Sequence, residues 1–272
     1  MRPADRSPGW LHSEGARLSN ASDVFDLGGK VALVTGGSRG LGKEMVLAFA
    51  ANGADVIIAS RKLENCQALA DEVETRFGRR ALPVACHVGK WDEVGALAER
   101  AYDEFGRIDV LVNNAGMSPL YPSLGEIGEA LYDKVMGVNL KGVFRLSVVV
   151  AERMAAGDGG SIISVSSAAA VSPTAGEAVY GLAKAGMHNM STMLAKTFAP
   201  KVRSNVIMPG PFLTDISKAW GSPEDIAKMM EGSLPMKRAG NPDEVVGAAL
   251  FLASDASSYS TTGVINLTGG IV

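Results

Sequence analysis

The chain reads as an α/β protein built on one mostly parallel, doubly wound sheet with helices on both faces. Three observations predict it. Seven short apolar runs recur at residues 31–34, 56–59, 82–86, 108–112, 161–165, 205–208 and 264–267. Longer segments with helical spacing lie between them, as at 41–51, 63–77, 94–105 and 187–198. Strands buried on both faces read as near-continuous apolar runs, and their alternation with helices argues for parallel crossovers. Glycine is abundant, at 32 of 272 residues, as many tight strand-to-helix turns require.

Composition bounds the rest. A hydrophobic content of 47% over 272 residues supports one large core. The net charge of -3 gives no general attraction to nucleic acid or to an anionic membrane. Cys66 and Cys86 have neither metal-ligand spacing nor a disulfide framework and fit buried thiols in a reducing compartment; no metal site is expected. Residues 1–26 carry Arg2, Arg6 and Arg17 beside Pro3, Pro8, Gly9 and Gly15. That stretch reads as a flexible arm, with a subunit-contacting segment as the alternative, and residues 27–272 as a single domain. With no signal peptide or uninterrupted membrane span in view, cytoplasmic residence is the expectation.

In a parallel sheet, ligands sit beyond the carboxyl ends of the strands, and the motifs fall there in order. The first run leads into Thr35-Gly36-Gly37-Ser38-Arg39-Gly40-Leu41-Gly42 and then a helix. Such a turn lets backbone approach a pyrophosphate, while the helix N-terminus offers unpaired N–H groups and a positive dipole end. The spacing of Gly36, Gly40 and Gly42 is not G-x-G-x-x-G. The second run ends at Ser60-Arg61-Lys62, where a carboxylate would hold the ribose hydroxyls of NAD. None is present, and Arg61, Lys62 and Arg39 suit a 2′-phosphate with Ser60 as donor, so NADP(H) is favoured over NAD(H). Arg61 and Lys62 also read as solvated charges opening a helix.

The third run ends at Cys86-His87-Val88, placing His87 against an adenine ring or as a neutral loop cap. The fourth ends in Asn113-Asn114-Ala115-Gly116, where amides tie strand ends together and glycine admits the cofactor. Asn139 sits inside a helical stretch, where asparagine is mildly unfavourable; it either turns a backbone carbonyl toward a water near Lys184 or bends the helix. The fifth run ends in Ser164-Val165-Ser166-Ser167, followed by Tyr180 and Lys184 on one face of a helix, with Cβ atoms about 6 Å apart. A free phenol has a pKa of roughly 10, and a neighbouring ammonium that lowers it by about 3 units supplies roughly 4 kcal/mol. Ser167 then hydrogen-bonds a substrate oxygen while Tyr180 exchanges its proton. The spacing alone is equally an ordinary amphipathic turn. After the sixth run, Pro209-Gly210-Pro211 forms a rigid turn, and the loop through Phe212 and Thr214 can cover a nicotinamide.

Taken together, Thr35-Gly36-x-x-x-Gly40-x-Gly42, Asn113-Asn114-Ala115-Gly116, Asn139, Ser167, Tyr180-x-x-x-Lys184 and Pro209-Gly210 resemble the short-chain dehydrogenase/reductase family over residues 27–272. The resemblance implies a Rossmann-type seven-stranded sheet, commonly a homotetramer, and NAD(P)-linked interconversion of carbonyls and alcohols. By matched position Tyr180 is the acid/base, Ser167 the substrate-oxygen donor, Lys184 the ribose anchor and phenol activator, and Asn139 the proton relay. The chain looks most like the branch with 3-oxoacyl-(acyl carrier protein) reductases and sugar or polyol dehydrogenases. It departs from the family pattern at His87, where aspartate is usual, and at Asn266-Leu267-Thr268-Gly269-Gly270, where Asp-Gly-Gly is frequent.

Substrate choice is expected in residues 117–131 and 212–236. These offer Leu120, Tyr121, Leu124, Phe212, Trp220, Met229, Met230 and Met236 to a partly apolar pocket, unless several pack onto the core. Lys218 and Lys228 suit an acidic carrier or plain solvation. Ala183, Ala185, Gly186 and the apolar segment 264–272 suit subunit contacts. The leading expectation is an NADP(H)-dependent oxidoreductase acting on a small carbonyl or alcohol, including 3-oxoacyl thioesters; the alternatives are an NAD(H)-linked sugar or polyol dehydrogenase and a non-catalytic NADP(H)-binding sensor or scaffold.

Overall fold

The computed structural model describes residues 21–215, 217 and 221–272. Arg2, Arg6, Arg17, Pro3, Pro8, Gly9, Gly15, Lys218 and Trp220 lie outside the described residues. The strands are β1 (Val31–Thr35), β2 (Asp55–Ser60), β3 (Ala81–Ala85), β4 (Val110–Asn113), β5 (Gly160–Val165), β6 (Val202–Pro209) and β7 (Val264–Leu267). The helices are α1 (Gly40–Ala51), α2 (Leu63–Phe77), α3 (Trp91–Phe105), α4 (Glu129–Met136), α5 (Gly142–Ala156), α6 (Ala178–Phe198), α7 (Pro223–Ser233) and α8 (Val246–Ala253).

All seven strands pair in parallel in the order β3-β2-β1-β4-β5-β6-β7. The order reverses between β1 and β4, which opens a crevice at their carboxyl ends. Successive strand residues face opposite layers. Ala32, Val34, Val56 and Ile58 join a core with Met45 and Phe49 of α1, Leu69 of α2 and Leu252 of α8. Val31, Leu33 and Ile57 face the other core, with Leu97 of α3, Leu146 of α5 and Met187 of α6. Both layers are lined by buried apolar side chains, as the unbroken apolar runs require.

Element ends depart from the apolar runs where polar side chains find partners. β4 extends to Asn113, whose Nδ2 donates to Ser147 Oγ at 2.8 Å. β6 begins at Val202, where its backbone pairs with Gly160 of β5, and in this extension the fully buried Ser204 shares a 2.9 Å hydrogen bond with Ser191 on α6. α2 and α3 stop at Gly78 and Gly106, both left-handed, which suits a residue without Cβ. Of the expected arm, residues Ala21–Phe25 form a 3-10 turn that leads into the buried Leu27. Cys66 and Cys86 are buried and free. Among the described residues no helix is long and apolar enough to cross a membrane, and no group of three or more His, Cys, Asp or Glu could hold a metal ion.

Candidate functional site

The glycine turn is built by close packing. A Cβ on Gly42 would lie 2.2 Å from the Gly36 carbonyl oxygen, and one on Gly36, at φ +63°, would lie 2.9 Å from Ala115 Cα. Only glycine lets β1 turn into α1 while touching the end of β4. Asn114 fastens the same junction: its Nδ2 donates to the carbonyl oxygens of Thr35 and Gly36, both at 3.0 Å. The Asn114 and Ala115 N–H groups donate to Thr35 Oγ1 at 3.1 and 3.3 Å. Thr35 Oγ1 in turn donates to Val112 O at 3.2 Å. Asn114 thus shapes the crevice by holding backbone, and Thr35, named in the glycine turn but given no role from sequence, is its hub.

α1 opens without a side-chain cap at Arg39, leaving first-turn N–H groups available to an anion. Leu41 packs onto the core, so its contribution there is its backbone. Thr214 lies across the turn, its methyl 3.5 Å from where a Gly40 Cβ would be. Arg39 pairs with Asp215 at 3.2 Å, tying the turn to the segment after β6. Ser38 donates to Ser60 Oγ at 3.0 Å. Arg61 and Lys62 are exposed at the start of α2 and form no ion pair among the described residues.

His87 closes its own turn: its Nδ1 accepts from Gly89 N at 3.1 Å and its backbone N–H donates to Glu93 Oε2 at 2.7 Å. The Val88 carbonyl abuts the first turn of α5, where a Cβ on Gly142 would lie 1.6 Å from its oxygen. Pro209 and Gly210 end β6 against Thr268, and a Cβ on Gly210 would lie 2.8 Å from the Thr268 carbonyl oxygen. Phe212 bridges to Gly240 and is buried, as is Met230. These two belong to the core, whereas Leu120, Leu124, Met229 and Met236 are exposed.

The four acid/base candidates converge beside this crevice. Asn139 is fully buried in a π turn, Gly137–Lys141, set between α4 and α5; a wider turn of this kind inside a helix often marks a functional site. Its Nδ2 donates to Val135 O and Met117 O, both at 2.9 Å, and its Oδ1 accepts from Met117 N at 3.1 Å. The π turn and the hold of Asn139 on the Met117 backbone were not foreseen. A Cβ on Gly116 would meet Asn139 Oδ1 at 3.0 Å and Lys184 Nζ at 3.6 Å, so one point joins the end of β4 to both side chains.

Ser167 follows β5 and caps the 3-10 turn Ala168–Ala170, accepting from Ala169 N at 3.2 Å. Tyr180 and Lys184 occupy the first turns of α6, with Nζ 5.5 Å from the phenol ring centroid. Lys184 points inward and donates to Val165 O at 2.8 Å. His188, one turn further on, shares a 2.7 Å hydrogen bond with Ser166; no motif flagged it.

The electrostatics correct one expectation. Tyr180 is pushed up to about 12, chiefly by burial and also by the Glu177 charge, with the Ser167 hydroxyl pulling the other way. Burial pushes Lys184 down to about 7. Desolvation disfavours both charged forms, and no contribution from Lys184 offsets it at the phenol.

A family profile described as enoyl-(acyl carrier protein) reductase matches residues 36–272. The 3-oxoacyl-[acyl-carrier-protein] reductase of Thermotoga maritima is 38% identical over 247 residues, covering 90% of this chain and 99% of that protein. The chain belongs to the short-chain dehydrogenase/reductase family. Among solved members of the family, L-sorbose reductase from Gluconobacter frateurii, complexed with NADPH and L-sorbose, superposes with a TM-score of 0.86 at 29% identity, covering 91% of this chain and 98% of that one. A 7α-hydroxysteroid dehydrogenase complexed with NADH and a 7-oxo bile acid superposes at 0.87 with 32% identity, covering 92% and 97%. This short-chain dehydrogenase/reductase is accordingly an NAD(P)-dependent oxidoreductase with a Rossmann-type fold.

Proposed function

We propose that the protein is an NADP(H)-dependent oxidoreductase that interconverts a carbonyl and a secondary alcohol, with 3-oxoacyl thioesters as a candidate substrate class. The observation that carries this reading is the convergence of Ser167, Tyr180, Lys184 and Asn139 on the crevice roofed by the glycine turn. The residues fit a dinucleotide: the uncapped start of α1 offers N–H donors for a diphosphate, and exposed Arg61 and Lys62 lie at the end of β2 where a 2′-phosphate would sit. Gly36, Ser38, Gly40, Leu41, Gly42, Ala115 and Gly116 would line it, with Pro209, Gly210 and Thr214 closing over it. The nicotinamide, when bound, supplies or accepts the hydride.

The chain's own residues manage position and proton. Ser167 holds the substrate oxygen, and Tyr180, protonated at neutral pH, delivers its proton to that oxygen as it gains negative charge. Lys184, held inward by Val165 O, anchors the ribose side of the crevice, with its Nζ 5.5 Å from the phenol ring centroid. Asn139 keeps the backbone at Met117 in place at the opposite wall.

A second reading, an NAD(H)-linked sugar or polyol dehydrogenase, draws on the Arg39–Asp215 pair, which engages one of the cations a 2′-phosphate would use. Subunit association as a homotetramer is supported by apolar side chains left exposed on α5, α6 and the edge strand: Phe144, Leu182, Met193 and Val264. The deciding experiment follows nicotinamide absorbance with NADPH or NADH against ketones, 3-oxoacyl thioesters and ketoses, then repeats it with Tyr180→Phe. Turnover with NADPH that collapses in the variant supports the reading. Undiminished turnover in the variant overturns the proton role, and cofactor binding without turnover on any carbonyl favours a sensor or scaffold.

A further inference from the structure

We propose that Tyr121 is a positioning residue whose hydroxyl clasps the segment after β4 to the start of α6 and so sets where Tyr180 meets the substrate; this rests on the oxidoreductase reading above. Tyr121 is half-buried, and its hydroxyl makes two short hydrogen bonds to one place. It accepts from Ala178 N at 2.7 Å and donates to Ala175 O at 2.6 Å.

Ala178 is the first residue of α6, and the residue before it, Glu177, gives the helix no side-chain cap. A helix start leaves its first N–H groups without partners inside the helix. The Tyr121 phenol supplies one of the missing acceptors from a residue 57 positions away in the chain. Tyr180 lies two residues into the helix, roughly 3 Å further along the axis, so a shift of the first turn moves its hydroxyl directly.

The other side of that turn is already gripped. A Cβ on Gly181 would lie 2.8 Å from Ala169 O and 3.0 Å from Pro173 Cβ, which locks α6 against the loop that carries Ser167. The clasp completes the enclosure. Asn139 holds the Met117 backbone, Tyr121 follows four residues later, and its hydroxyl holds the start of the helix bearing Tyr180. The two walls of the substrate cleft are therefore joined through one phenol that touches neither of the reacting atoms.

Tyr121→Phe keeps the ring and removes both bonds. The expected result is a fall in kcat of about tenfold, in keeping with the sensitivity of catalysis to sub-ångström placement, with KM and NADPH affinity unchanged. Tyr132→Phe, on an exposed position of α4, removes a phenol hydroxyl near the same segment without touching the clasp and should leave kcat as it is. Unchanged kcat in Tyr121→Phe overturns the proposal, as does an equal loss in Tyr132→Phe or a loss matched by weaker NADPH binding. Should the phenylalanine variant not fold, amide hydrogen exchange on the unaltered protein decides: protection at Ala178 supports the clasp, and exchange at the rate of a free helix end refutes it. Failure here is distinct from failure of the main reading, since Tyr180→Phe tests the proton donor and leaves the clasp intact.

Discussion

The crevice and the rim around it are built in opposite ways. In the crevice, Thr35, Asn139 and Lys184 are at most 2% exposed, and their polar atoms go to backbone carbonyls and amides of other elements. On the rim, Leu120 is 80% exposed and Met236 60%, on segments where sheet packing does not reach. Buried polar groups are retained only when fully partnered, and their partners then dictate position closely. Exposed apolar side chains impose no such constraint and are free to vary with the substrate. On the proposed function, chemistry belongs to the first region and substrate choice to the second.

Substitutions that separate the two regions sharpen that contrast. The largest effect is expected for Tyr180→Phe, a loss of about 10²–10⁴ in kcat with NADPH affinity preserved, read by steady-state kinetics and cofactor titration. Lys184 comes next. Its pKa of about 7 in the fold, against 10.5 for the free side chain, means that between those values the unfolded chain binds a proton the folded chain lacks. Stability therefore climbs as pH rises from about 7 to about 10.5, by about 5 kcal/mol for this group. Tyr180, raised to about 12, works in reverse between its ordinary 10 and about 12. Lys184→Met should flatten the climb in denaturation midpoint measured across that window; an unaltered curve would contradict a buried neutral amine.

Asn114→Ala strips partners from the Thr35 and Gly36 carbonyls and should lower stability by about 1–3 kcal/mol in urea titration. No loss would mean that the bracket between β1 and β4 is ornamental. Arg61→Ala should weaken NADPH by about tenfold, roughly 1.4 kcal/mol, and leave NADH nearly unaffected; equal losses would remove the 2′-phosphate assignment. Met229→Ser on the rim is expected to change stability by less than about 0.5 kcal/mol while shifting relative kcat/KM among carbonyl substrates. A destabilisation like that of Asn114→Ala would erase the distinction between the regions.

The features legible in the sequence were those that repeat locally. The glycine turn followed a strand-like run, and Tyr180 and Lys184 sat at helical spacing, because strand and helix periods depend on near neighbours alone. The segment 63–77 emerged as α2 with its ends intact since Gly78 terminates it through its own backbone. By contrast, β6 began three residues ahead of its apolar run, paired with β5, where Ser204 meets Ser191 across the fold. Asp215 as partner of Arg39, Ser166 as partner of His188 and Ala178 as partner of Tyr121 were equally out of reach. Each pair is distant in the chain, and nothing in either residue's neighbours specifies the other.

By itself the sequence determined the parallel sheet, the order of its motifs and the residues proposed to carry acid/base chemistry, since these follow from patterning and from side-chain type. Only the tertiary structure decided which way their pKa values move. Burial of Tyr180 and Lys184 at the junction of β5 and α6 opposes charge on both, and desolvation depends on everything packed around a group rather than on the residues beside it in the chain.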